Sequence, residues 1–177
     1  MTTIIFKDGK LFADTRISHY DDSGAFLHFS ERSKFLMTKN RVITGAGSSF
    51  VIELFSNSFN LFFARKFGFT LCFLSKYVLQ NSSISNVVVI ENEIISVFNA
   101  TCLKIFGIFS CVIFEEKVRR PISSEKWFSV GSGSDFAGKK INAGEEAYNA
   151  MIYSSKADVF TNNKIQVLDL YSGELYE

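Results

Sequence analysis

Apolar and polar positions change period several times along the chain. Thr3 to Phe6 and Leu11 to Ala13 read as two short strands joined by Asp8-Gly9. Asp-Gly suits a two-residue hairpin turn, because both central positions take positive φ. The strands alternate only partly, which predicts a sheet covered on both faces. The stretch from His19 to Ser33 is polar and mixed, with Asp21 to Gly24 marking a loop or hairpin tip. Phe35-Leu36-Met37 and Val42-Ile43-Thr44 form a further hairpin about Lys39-Asn40, ended by Gly45 and Gly47. Residues 48–67 predict a helix capped by Ser48 or Ser49, with Val51, Leu54, Phe55, Phe59 and Phe62 on one apolar face. Residues 69–80 read as a second, shorter helical piece.

Strands resume at Asn86 and continue through Phe114. Ile94 to Phe114 spans 21 residues with one charge, Lys104, long enough for a membrane helix. Ser96, Asn99, Thr101 and Ser110 interrupt it, and a central Lys costs a spanning helix ~3 kcal/mol. Two buried strands with a turn at Asn99 to Lys104 are expected instead. Glu115 to Lys126 is a charged connector holding the only proline, Pro121. Trp127 to Val130 is a strand that stops at Gly131-Ser132-Gly133-Ser134. Residues 135–157 give two helices broken at Ala143-Gly144, the second burying Ala147, Ala150, Met151 and Ser154. The chain closes in a strand or hairpin turning at Asn162-Asn163. Strands, helices, strands, helices and a strand in that order predict an α+β layered fold with helices outside the sheets.

At 177 residues a single domain over 1–177 is expected. The 20 phenylalanines supply a rich core. A net charge of +1 offers no electrostatic footprint for nucleic acid or an anionic membrane. Cys72, Cys102 and Cys111 lack CxxC spacing and read as small buried hydrophobes in a reducing compartment. Lys7, Asp8 and Lys10 exclude an apolar signal core near the start. His19 and His28, nine residues apart on different elements or around a loop, read as exposed loop histidines rather than metal ligands. No metal and no cofactor is expected.

The candidate chemistry lies at the start. If Met1 is trimmed, Thr2 carries both a hydroxyl and a free α-amine. That amine has a pKa of about 7.7–8.0, so it can take a proton near neutral pH and activate its own hydroxyl. The stretch Thr2-Thr3-Ile4, with Asp8-Gly9 and Ala13-Asp14-Thr15-Arg16, resembles the proteasome β-subunit family of N-terminal nucleophile hydrolases. It is most similar to the short proteasome-like proteins of bacterial viruses and their hosts. Lys34-Phe35-Leu36, Val42-Ile43-Thr44-Gly45-Ala46-Gly47, Gly131-Ser132-Gly133-Ser134-Asp135-Phe136-Ala137 and Asp158-Val159-Phe160-Thr161 follow in the family's order. Residues 50–125 resemble it only in pattern.

The resemblance implies a four-layer α-β-β-α sandwich and assigns roles. Thr2 would supply nucleophile and base. Asp14 would pair with a lysine and orient the terminus, and Lys34 would lower the nucleophile's pKa. The Gly45 N–H would form the oxyanion hole. Ser132, supported by Asp158 and Thr161, would hold the amine or a relay water. Ile43 and Gly47 would flank the substrate cleft. On residues alone, Asp14 also reads as a strand terminator, Lys34 as an exposed lysine, and Gly45 and Gly47 as a turn into a helix. The Gly131–Ser134 run could cradle phosphate, but it lacks GxxxxGK[ST].

The resemblance implies a threonine peptidase acting on peptides or unfolded protein in a homo-oligomer, in a cytoplasm. Any ATPase partner is left open, and a phage origin fits the residue usage. Two alternatives remain: a proteasome-type fold kept as an inactive structural protein, and an amidohydrolase acting on a small amide.

Overall fold

The computed structural model describes residues 2–20, 23, 25–73, 84–105 and 109–177. In chain order the strands and helices begin with β1 (Thr3–Lys7), β2 (Lys10–Asp14), β3 (Arg16–Tyr20), β4 (Phe26–Glu31), β5 (Leu36–Thr38) and β6 (Arg41–Ala46). Helices α1 (Ser49–Leu54) and α2 (Ser58–Phe67) follow, then β7 (Phe69–Phe73), β8 (Ile84–Glu91), β9 (Ile94–Ile105) and β10 (Phe109–Pro121). The chain ends with β11 (Trp127–Gly131), α3 (Ser134–Asn142), α4 (Ala147–Ala157), β12 (Ile165–Asp169) and β13 (Leu175–Tyr176). The residues fall into two compact units: Met1–Lys34 with Pro121–Glu177, and Phe35–Arg120.

The first unit is built around the opening hairpin. Asp8 (φ 52°) and Gly9 (φ 76°) both take the left-handed conformation that a tight hairpin turn demands. The hairpin sits centrally in a five-stranded sheet ordered β11-β1-β2-β12-β13. Ile5 and Ile165 meet Ala137, Ile141, Ala150 and Met151 of α3 and α4 in one core cluster. Ile4, Phe6, Leu11 and Leu168 are buried as well, so both faces of this sheet are covered, as the weak alternation predicts. β3 and β4 form a separate two-stranded sheet.

The second unit is a six-stranded sheet ordered β5-β6-β8-β9-β10-β7. Ile43, Val87, Val89, Phe98, Val112 and Phe114 pack with Val51 and Phe55 of the α1 region and Leu61 and Ala64 of α2. Phe55 meets Phe98 at 5.0 Å and Phe114 edge-on at 4.7 Å, a favourable aromatic arrangement.

Several sequence expectations are corrected here. The single helix over 48–67 is two helices, because the Asn57 side chain accepts the Phe59 N–H and starts α2 afresh. That break ends the shared face: Val51 and Phe55 are buried, while Phe59 and Phe62 are 63% and 53% exposed. Ser48 occupies the N-cap of α1 without a side-chain capping bond. Phe69–Phe73 is strand β7 rather than helix, paired with β10; residues 74–80 of that expectation lie outside the described residues. Residues 99–104 continue β9 instead of turning. The charged connector is mostly the end of β10, followed by a short 3-10 turn at Ile122–Ser124. The last hairpin turns beyond Asp169, not at Asn162-Asn163, since Val167 and Leu168 pair with Tyr176 and Leu175. The histidines are strand residues: His19 on β3 faces His28 on β4, rings stacked at 4.5 Å. The side chains of Cys72, Cys102 and Cys111 lie outside the description. Among the described residues no helix is long and apolar enough to cross a membrane.

Candidate active site

Six of the residues singled out from the sequence gather in the first unit. Asp14 ends β2, and antiparallel pairing of β1 with β2 sets Ile4 opposite Ala13, bringing the start of β1 beside Asp14. The Asp14 carboxylate accepts the Thr3 N–H at 2.8 Å and the Arg16 N–H at 3.0 Å. It is fully buried. Burial pushes its pKa up to about 6, against the lowering effect of those N–H groups and of Lys34.

Lys34 lies between β4 and β5. Its Nζ donates to Thr2 Oγ1 at 2.5 Å and to the Arg16 carbonyl at 2.5 Å. Burial drives its pKa down to about 8; Asp14 pulls it back up, and Arg32 adds to the lowering. Thr2 is 3% exposed, so the ammonium meets its hydroxyl in a largely desolvated place, where a charge acts more strongly than in water.

A second cluster adjoins the first through Thr3. β1 pairs with β11, setting Thr3 opposite Gly131. Gly133 N–H donates to Thr3 Oγ1 at 2.9 Å. Thr3 Oγ1 and Thr161 Oγ1 lie 2.7 Å apart. Thr161 donates to Asp158 Oδ2 at 2.7 Å, and Ser132 Oγ donates to that same oxygen at 2.5 Å. Asp158 is the C-cap of α4, so the helix end delivers its carboxylate to this point. A Cβ on Gly133 would sit 2.3 Å from Thr3 Oγ1, which is why only glycine fits there.

Gly45, Ile43 and Gly47 belong to the second unit. Ile43 is fully buried in the helix-facing core, which gives its side chain a packing role and leaves only its backbone for a cleft. Gly45 pairs with Val87 of β8. A Cβ there would lie 2.5 Å from the Asn86 carbonyl and 2.8 Å from Ile52 Cγ1, so packing alone already requires glycine. Gly47 has φ 121° and lies against Ser85.

Comparison with known proteins joins this geometry to a fold. No family model matches the sequence, and no curated protein matches it. Solved structures do. Eukaryotic HslV from Trypanosoma brucei is 16% identical with a TM-score of 0.54, over 99% of this chain and 98% of that one. Anbu (ancestral beta-subunit) from Yersinia bercovieri is 12% identical with a TM-score of 0.55, over 99% and 86%. Anbu from Hyphomicrobium sp. strain MC1 is 11% identical with a TM-score of 0.53, over 100% and 82%. The fold is that of a proteasome β-type subunit. It is α+β, as the element order predicts.

Within this proteasome β-type fold, Thr3, Gly133 and Asn162 take part in the hydrogen bonds around Asp14 and Thr161, although the sequence gives them no site role. Thr3 looked like an ordinary strand residue. Asn162 looked like a turn, yet its amide accepts the Thr15 N–H at 3.3 Å and donates to Thr15 Oγ1 at 3.1 Å, fixing the residue after Asp14. A second hydroxyl residue directly after the candidate nucleophile, at the head of an apolar strand, is the only sequence signal for Thr3.

Proposed function

We propose that the chain is an N-terminal threonine peptidase of a single proteasome-like domain, working in a homo-oligomer on peptides or unfolded protein in a cytoplasm. The observation that carries this reading is the Lys34 ammonium donating at 2.5 Å to the hydroxyl of Thr2, the residue that becomes terminal when Met1 is removed.

Thr2 Oγ attacks the scissile carbonyl carbon while its proton passes to the Thr2 α-amine. The Lys34 ammonium stabilises negative charge growing on Oγ. The carbon–nitrogen bond of the substrate then breaks, its nitrogen leaves with the proton from the α-amine, and an ester to Thr2 remains. Water, deprotonated by the same amine, hydrolyses that ester and restores the hydroxyl. Asp14 orients the strand through the Thr3 N–H, and Ser132 with Asp158 and Thr161 holds the amine side. The oxyanion donor expected at Gly45 rests on the family resemblance alone.

Intact-mass spectrometry tests the reading. Loss of Met1 together with covalent capture of Thr2 by an epoxyketone or β-lactone supports it. Retained Met1 in the mature, assembled protein, with no adduct, overturns it. The enclosure of Thr2 favours the second reading, an inactive proteasome-type structural protein, and that outcome would establish it. Turnover of small amides without peptide cleavage would establish an amidohydrolase instead.

A further inference from the structure

Resting on the peptidase reading, we propose that Thr3 is a positioning residue for it: its hydroxyl fixes Ser132 and sets the direction of proton donation through Thr161 to Asp158.

The direction follows from counting protons. A hydroxyl has one proton to give. Thr161 spends its own on Asp158 Oδ2 at 2.7 Å, because a carboxylate oxygen accepts. In the 2.7 Å pair of hydroxyls, Thr3 must therefore be the donor and Thr161 the acceptor. Thr3 in turn accepts from the Gly133 N–H at 2.9 Å. Ser132 also gives its proton to Asp158 Oδ2, at 2.5 Å. The chain thus runs one way, from Gly133 N–H through Thr3 and Thr161 to Asp158, where Ser132 converges.

Two consequences bear on the nucleophile. The Gly133 N–H belongs to the peptide that joins Ser132 to Gly133, so the Thr3 hydroxyl holds the peptide plane next to Ser132. Ser132 Oγ, its proton committed, offers only lone pairs. Extending the Thr3–Gly131 register by one residue sets Ser132 opposite Thr2. An amine N–H on Thr2 can donate to such an oxygen, which leaves the nitrogen lone pair for the Thr2 hydroxyl proton. Thr3 is fully enclosed, so water does not replace its hydroxyl when that is removed.

The test compares Thr3→Val, which keeps the shape and removes the hydroxyl, with Thr3→Ser, which keeps the hydroxyl. The readouts are the rate of Thr2 labelling by a β-lactone across pH, and hydrogen exchange of the Gly133 amide. Thr3→Val is expected to slow labelling about tenfold, the equivalent of one lost hydrogen bond, to move its pH midpoint, and to expose the Gly133 amide to exchange. Thr3→Ser is expected to restore all three. Wild-type rate and midpoint in Thr3→Val, with wild-type labelling intact, overturn the role of Thr3 and leave the peptidase reading standing. If wild type itself is not labelled, the peptidase reading fails; unchanged Gly133 exchange in Thr3→Val then also overturns the hydroxyl chain. Should Thr3→Val fail to fold, Thr3→Cys, a weak donor of similar size, carries the same comparison.

Discussion

Replacing Lys34 by Met separates catalysis from folding at the proposed nucleophile. Met keeps an unbranched apolar stem out to Cε and removes the ammonium that lies 2.5 Å from Thr2 Oγ1. A hydrogen bond from a charged group is worth roughly 1.5–3 kcal/mol. The value rises as the oxygen gains charge in the attack, so about 3 kcal/mol is a fair loss for the transition state, or roughly a hundredfold in rate. Stability moves differently. Burial lowers the Lys34 pKa from 10.5 to about 8, so the fold disfavours its charged form. The cost, roughly 3 kcal/mol at most, is present in full below pH 8 and fades as pH rises towards the unfolded value. Lys34→Met removes that cost, while its neighbour Asp14 loses a compensating charge. Near pH 7 the variant should therefore unfold at about the wild-type temperature or above, yet label about a hundredfold more slowly. The assay is second-order labelling of Thr2 by an epoxyketone, followed by intact mass, beside thermal unfolding by circular dichroism. Labelling within threefold of wild type by a folded variant would refute the argument.

Stability should respond at three other positions. Asp14 titrates at about 6 in the fold against its ordinary value of 3.8, so its contribution to stability is complete below the unfolded value and is lost as pH rises through 6. Urea unfolding between pH 4 and pH 7 should show wild type losing up to roughly 3 kcal/mol from this group, a slope that Asp14→Asn should lack. Gly45→Ala places a Cβ 2.5 Å from the Asn86 carbonyl and should cost about 1–3 kcal/mol by overpacking, read as a lower midpoint in urea. Phe98→Ala empties the ring packed against Phe55 and should cost about 3–5 kcal/mol in the same experiment.

Local chemistry fixed much of this molecule before any tertiary contact. Asp8-Gly9 dictated the first turn, because few other residue pairs take positive φ twice. The spacing of Ala147, Ala150, Met151 and Ser154 dictated which face of α4 is buried. Thr2, Asp14, Lys34, Ser132, Asp158 and Thr161 were singled out because short runs around them resemble a known family in order along the chain, not because periodicity or composition marked them. Phe-Thr-Leu-Cys-Phe over residues 69–73 is too short to show a decisive period, so it reads as helix from sequence and pairing with β10 makes it a strand. The break between α1 and α2 depended on one asparagine side chain. The histidines became neighbours only through strand register. For the candidate site, sequence supplied the residue types, and the fold supplied their partners. Lys34 and Thr2 are 32 positions apart, and Thr3 and Thr161 are 158 apart. Hydrogen bonds across such separations depend on burial and strand pairing rather than on neighbouring residues, which is why only the tertiary structure could reveal that Thr3 ties the two halves of the site together.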